Sequence, residues 1–300
     1  MFLLYINDLK SYVNQKIKEC KISSSYNILL FADDILLVVS NAKADLLEID
    51  TFLLVNIINQ WCTINSLVIN KSKTKFLPIL KNLLNEREGL LNINIFLGDE
   101  MIVKVDALKY LGLVLDSNLN FQEQVSNSVM KIHASIFVLK TLFKYLNKDS
   151  LLAVYHALVV SHISYCCSVW SFCNANQVRK LFIAQKRAIR TIFGLRKNDS
   201  CKNYFSANGL LTVPSIIIYN TIKFYMKNFN TNKGTGSYNT REKIIVSKRD
   251  SSTTKKGREL YNKLPNSVTK TCLQNKLLFL KEVKKYLIEQ CFYTLGEFTN

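Results

Sequence analysis

The stretch "ILLFADDILLVV", residues 28–39, sets two adjacent aspartates between two runs of large apolar residues. Neighbouring carboxylates repel, and apolar flanks withdraw the solvent that would stabilise their charge. Two arrangements offset that cost. In one, Asp33 and Asp34 lie in an exposed turn between two short buried strands, since Asp is a favoured turn residue. In the other, the same turn holds a divalent cation, because Mg²⁺ takes hard oxygen ligands and is commonly bound by one or two carboxylates plus phosphate oxygens. Both predict a hairpin over 27–39, each arm being of the length that buried strands use.

Ser40 or Asn41 is expected to cap a helix running to about Cys62, because Leu47, Leu54, Ile58 and Trp61 recur at helical spacing. That helix should cover one face of the hairpin. "SLVINKSKTKFLPI" (66–79) reads as a strand, a basic turn and a second strand. "NINIFLGDEMIVKV" (92–105) alternates around Gly98 and Asp99 as a hairpin does, and "LKYLGLVLD" (108–116) reads as one more apolar strand. Residues 1–118 are therefore expected to form an α+β unit of short antiparallel strands with a covering helix.

The chain then changes character. Helical periodicity with few Pro or Gly breaks runs over 121–144, from 149 or 150 to about 170, and over 178–193, with Gly194 as a stop. A mostly α-helical domain is expected over 119–229, a basic flexible linker over 230–257, and a helical C-terminal segment over 258–300. The last helix, from about Gln274 to Gln290, is expected to carry Leu277, Leu280, Val283 and Leu287 on one face.

At 300 residues the chain can bury a proper core, and two domains are expected. Its eight cysteines show no C-x-x-C pair and no His at zinc-site spacing, so reduced, mostly buried thiols in an intracellular protein are expected. "MFLLYINDL" lacks a basic n-region and breaks at Asn7 and Asp8, unlike a secretory signal. The uncharged run 150–178 contains His156, Ser161, His162 and Ser164, so it reads as a buried helix or helix pair, with no membrane partner. Charge divides sharply along the chain. Residues 1–120 carry 12 Lys or Arg against 13 Asp or Glu, a net of −1, while 121–300 carry 28 against 9, a net of +19. Such asymmetry suggests a polyanion, with nucleic acid ahead of acidic lipid because the cations are spread through folded-looking sequence. In "VRKLFIAQKRAIRTIFGL" (178–195) the apolar face takes Val178, Leu181, Phe182, Ala188, Ile189, Ile192 and Phe193. Arg179, Lys180, Lys186, Arg187 and Arg190 are left outside, to track phosphates or to form a solvated face.

The order of these segments carries more than any one of them. "FADD", a helix ending near Trp61, "LVINKSKTKF", "KYLGLVLD" and "QKRAIRTIFGL" together resemble the reverse transcriptases of non-LTR retrotransposons, particularly jockey-like elements. The resemblance runs from "FLLYINDL" (2–9), similar to the segment after the family's Q-G motif, to "YNKLPNSV" (261–268), similar to its C-terminal end. It implies a partial polymerase palm followed by a thumb-like helical domain that grips duplex. Phe31, Ala32, Asp33 and Asp34 match the catalytic F-A-D-D turn, so Asp33 is implied to bind two Mg²⁺ ions with Asp34 in support. Lys73 matches a lysine placed near the leaving pyrophosphate, where a cation or proton donor helps; a plain turn lysine is the alternative. Lys109, Tyr110, Leu111 and Gly112 look like the strand that supports the primer end, with Gly112 allowing close backbone approach. The implied partners are an RNA template, a DNA primer and deoxynucleoside triphosphates, and the implied location is nuclear. In the family a third aspartate, on an earlier palm strand, the Q-G motif and the fingers all lie upstream of the segment at which this chain begins. The expectation is a portion of an RNA-directed DNA polymerase that is not competent alone, with a non-catalytic nucleic-acid-binding protein as the alternative. The hairpin is also expected to expose a sheet edge for lack of neighbouring strands.

Overall fold

The computed structural model describes residues 2–79, 93–171, 173–228, 252–269 and 275–299. They belong to two compact units, Met1–Leu119 and Asn120–Asn300. Helices predominate, and the strands among the described residues are short and sit in four separate two-stranded sheets.

In the first unit, α1 (Leu9–Cys20) places Leu9, Val13 and Ile17 on one face, four residues apart. A left-handed Lys21 ends it, and the chain enters the hairpin of β1 (Ser25–Phe31) and β2 (Asp34–Ser40). The two strands are antiparallel, with Ser25 opposite Ser40 and Phe31 opposite Asp34. Next comes α2 (Ala44–Ile64), whose Leu54, Ile57, Ile58, Trp61 and Cys62 form one core with Leu9, Val13 and Ile28. Each such side chain contributes about 1.5–3 kcal/mol when fully buried. An isolated two-stranded hairpin is marginal in water, so this helix pair is what makes the hairpin persist.

The helix begins at Ala44 and not beside Asn41. The Oδ1 of Asn41 accepts the Lys43 N–H at 3.1 Å in a local turn, and the extended Lys43 offers no side-chain cap. Asp50 of α2 ties the helix to the hairpin. Its Oδ2 accepts the Ser24 N–H at 2.7 Å, the Ser23 N–H at 3.2 Å and the Ser23 hydroxyl at 3.0 Å, all at the approach to β1.

The arms of the hairpin are not buried on both sides. Tyr26, Ile28, Leu30, Leu37 and Val39 face the helices, whereas Leu29, Phe31 and Val38 on the other face are exposed. The sheet has two strands only, so both its edges lack a strand neighbour among the described residues.

Four two-residue strands follow: β3 (Lys75–Phe76), β4 (Phe96–Leu97), β5 (Glu100–Met101) and β6 (Val103–Lys104). The expected strand before the basic turn does not form; residues 67–70 have no ladder partner, and Val68 is 94% exposed. Leu67 and Ile69 instead pack side-on against the helical core. β3 pairs in parallel with β6, and β4 pairs antiparallel with β5 around Gly98, whose φ of 63° suits a tight turn. The expected single strand 108–116 is likewise two strands, β7 (Ala107–Tyr110) and β8 (Leu113–Asp116), antiparallel to one another. Between them Leu111 and Gly112 have φ of 47° and 84°. Positive φ at both central residues is the I′ geometry, whose twist matches that of the flanking strands.

The second unit is helical throughout its described residues: α3 (Gln122–Leu142), α4 (Lys148–Tyr155), α5 (Ala175–Phe193), α6 (Val213–Asn228), α7 (Ser252–Asn262) and α8 (Lys276–Gln290), with shorter turns between them. The uncharged run 150–178 is not one rod. A π-helical turn, His156–Val160, follows α4, then an extended Tyr165 and a left-handed Cys166 (φ 49°) break the chain again. Among the described residues no helix is long and apolar enough to cross a membrane.

Gln185 of α5 is fully buried and hydrogen-bonded at both ends of its amide. Its Nε2 donates to the Tyr155 hydroxyl at 2.8 Å and the Leu211 carbonyl at 2.9 Å, and its Oε1 accepts the Val213 N–H at 2.8 Å. One side chain thereby joins α5 to α4 and to the start of α6. Gly194, left-handed at φ 64°, ends α5.

The linker expected over 230–257 falls largely on 230–251, outside the described residues; 252–257 belong to α7. Gly257 lets α7 lie against α6, since a Cβ there would come within 2.5 Å of the Tyr225 Cβ. In α8 the buried stripe is Phe279, Val283 and Leu287, while Leu277 is 72% exposed. Two residues away from Phe279, Leu277 is turned by roughly 200° about the helix axis, so it cannot share that face.

Candidate acidic turn and basic helix face

Asp33 and Asp34 stand at the tip of the β1–β2 hairpin, where the chain reverses through Ala32 and Asp33 and Asp34 opens β2. Ala32 takes φ of 50°, a left-handed conformation that costs a residue with a Cβ about 1–2 kcal/mol. Both carboxylates are exposed, beside an exposed Phe31. Adjacent hard-oxygen donors on a solvent-facing turn fit one Mg²⁺ whose other positions are filled by water and phosphate. Among the described residues no group of three or more His, Cys, Asp or Glu is placed to hold a metal, so a two-ion site needs ligands beyond this pair.

The other expected residues of this unit lie on separate pieces of it. Lys73 is exposed in a turn organised by Asn70, whose Oδ1 accepts the Ser72 hydroxyl at 2.7 Å and the Lys73 N–H at 3.2 Å. Its neighbour Lys71 is committed to Glu100 at 2.8 Å. Lys109 and Tyr110 end β7, and Leu111 and Gly112 form the turn into β8. The two hairpins, β1–β2 and β7–β8, belong to different sheets.

In the second unit the five cations of α5 divide into two kinds. Arg179, Lys180 and Arg187 are exposed and, with Ile183, recur at helical spacing along one outer stripe. Lys186 is half-buried, with its Nζ 4.7 Å from the Phe182 ring centre and 5.4 Å from that of Tyr293. Burial, with a further push from Arg190, lowers its pKa below the ordinary lysine value. Arg190 gives its Nε and Nη2 protons to the Asp199 carbonyl at 3.2 and 2.9 Å, which fastens the loop after the helix. So Lys186 and Arg190 hold the fold, and the other three cations face solvent.

Sequence reading passed over the neighbouring surface of α3. That helix packs along α5, and Arg187 Nη1 comes within 3.5 Å of His133 Nε2. On the exposed side of α3, Met130, His133 and Phe137 recur at three- and four-residue spacing, with Phe137 73% exposed. The signal was present in that spacing. Apolar residues at 132, 136 and 139 form a second stripe that does face the core, and a helix apolar on two sides reads as simply buried. Exposed aromatics beside guanidinium groups suit nucleic-acid strands, whose bases stack while the phosphates are neutralised.

Comparison of the chain with protein-family models, with curated proteins and with solved structures finds no match.

Proposed function

We propose that the chain is a portion of an RNA-directed DNA polymerase of the non-LTR retrotransposon type, acting in template-directed nucleotidyl transfer on an RNA template and a DNA primer. The observation that carries this reading is the pair Asp33 and Asp34 at the tip of a hairpin, embedded in a motif order that resembles that family's palm and thumb. Exposed carboxylates at the turn and at the first residue of β2 can reach a phosphate without burying the hairpin around it. Asp33 and Asp34 would hold Mg²⁺, which when bound supplies charge neutralisation at the reacting phosphate and lowers the pKa of the attacking hydroxyl. Lys73 offers a cation for the departing pyrophosphate, and Lys109 to Gly112 offer a short backbone surface for the primer end. The helical unit, at a net charge of +19, supplies the phosphate grip through Arg179, Lys180 and Arg187.

The test is primer extension with deoxynucleoside triphosphates and Mg²⁺ on an RNA template with an annealed DNA primer. Because the two carboxylates alone make an incomplete two-ion site, only weak Mg²⁺-dependent extension is expected, and Asp33→Ala should abolish it, since even an outer-shell partner of a metal site is commonly worth about 10- to 100-fold. A second reading, a non-catalytic nucleic-acid-binding protein, is favoured by the +19 carried by residues 121–300 and by the exposed Arg179, Lys180 and Arg187. Salt-sensitive binding of the same primer–template with no extension would select it.

A further inference from the structure

We propose that a cavity in the helical unit, remote in sequence from the basic stripe of α5, binds a nucleoside phosphate. The cavity has a volume of about 400 Å³ and lies between α6, the N-terminal turn of α8 and the Ser164–Ser168 break after the π-helical turn. Pockets for small ligands start at roughly 300 Å³, so one nucleotide unit fits and a folded nucleic acid does not.

Three lysines line it: Lys223 and Lys227, one turn apart on α6, and Lys276 from the first turn of α8. No acidic side chain is among the described lining residues, and neither ion pair found in the described residues involves these lysines. Like charges one turn apart cost about 0.2–0.5 kcal/mol on a helix, and a third ammonium brought in from another helix adds to that repulsion. A dianionic phosphate removes the cost and gains charge-assisted hydrogen bonds. The Ser164 and Ser168 hydroxyls add neutral donors, while the Asn220 amide is committed to the Ile216 carbonyl at 3.1 Å.

The rest of the wall is apolar. Phe224, 37% exposed, offers a ring to a planar base. Burial pushes the Cys167 thiol up to about 12, so it lines the cavity as a neutral group and not as a thiolate ligand for a metal. On one face of α6 Lys223 and Lys227 flank the Phe224 ring, and Lys276 is added from α8, so cations and one aromatic ring line the same cavity, as a phosphate joined to a base requires. That unit has two sources, a phosphorylated strand end or a free mononucleotide. The assignment does not depend on the polymerase reading.

Fluorescence anisotropy with the full chain tests it, using one labelled single-stranded oligonucleotide in 5′-phosphorylated, 3′-phosphorylated and unphosphorylated forms, with adenosine monophosphate and inorganic phosphate as competitors. A terminal phosphate should tighten binding by about tenfold, because hydrogen bonds to charged groups contribute roughly 1.5–3 kcal/mol. Lys223→Ala/Lys227→Ala should abolish that difference, while Arg179→Ala/Arg187→Ala weakens all forms and preserves the difference. All these side chains are exposed, and circular dichroism should show each variant folded. Competition by the mononucleotide at concentrations where inorganic phosphate has no effect would assign the site to nucleotides at large. A phosphate-end effect without such competition would assign it to strand ends. Equal affinity for all three oligonucleotides together with no competition, or a phosphate effect unchanged in the double lysine variant, would overturn the proposal.

Discussion

Leu111 is a bulky residue in a backbone conformation suited to glycine or asparagine. With Gly112 it forms a I′ turn, for which Asn-Gly is the preferred pair. Leu111→Asn should therefore raise stability by about 1 kcal/mol, read as a higher denaturant midpoint at unchanged slope. Asp50 offers a test of opposite sign. Burial pulls its pKa upward, but donation from Ser24 and Ser23 outweighs this and holds the carboxyl below its ordinary value of 3.8. Its stabilisation is thus fully present above that value and is lost as pH falls through the lower, folded one. Asp50→Asn should cost about 1.5–3 kcal/mol at neutral pH, and the gap from the wild type should close as the solution is acidified below that range. A gap that stays constant with pH would show that the carboxylate charge is not what joins α2 to β1.

If the helical unit binds nucleic acid as proposed, the stripe on α5 and the outer side of α3 should make separable contributions to that binding. Removing Arg179, Lys180 and Arg187 together should flatten the dependence of log affinity on log salt by about 2–3 for duplex, at roughly 0.9 per phosphate contact. Phe137→Ala should instead weaken single-stranded RNA by about 1–3 kcal/mol and leave that slope unchanged, because stacking releases no counterions. Salt titrations of the two variants distinguish the contributions.

These elements also mark how far sequence reaches. The FADD hairpin and the Gly98 hairpin were legible because turn residues stood between apolar runs. The split of 108–116 was marked by Gly112 alone, since nothing in "LKYLGLVLD" signals that Leu111 will accept positive φ. Residues 67–70 looked like a strand because packing against helices selects the same apolar side chains as a ladder does. On α5 the spacing put Lys186 and Arg190 on the polar side; what it could not reveal was Phe182 and Tyr293 under one and the Asp199 carbonyl beside the other. α1 went unread although Leu9, Val13 and Ile17 carry a helical interval, its lysines and polar residues having masked a narrow apolar stripe.

Each of the two units carries its own buried cluster, Trp61 and Leu54 in one, Phe279 and Ile222 in the other. Residues 120–300 expressed alone should therefore fold cooperatively and, if the proposed reading holds, bind nucleic acid in a salt-dependent way. Loss of helical circular dichroism in that fragment would refute the expectation.

The charge division has a further consequence for the hairpin. The unit that carries it has a net charge of only −1, so it possesses little electrostatic repulsion of its own against a second molecule, while it exposes Leu29, Phe31 and Val38 beside strand edges that have no strand neighbour among the described residues. Colloidal protection at low ionic strength comes instead from the +19 of the tethered helical half. A polyanion that saturates that half titrates the protection away, which makes the stoichiometric, charge-neutral complex the composition most prone to cluster through its sheets.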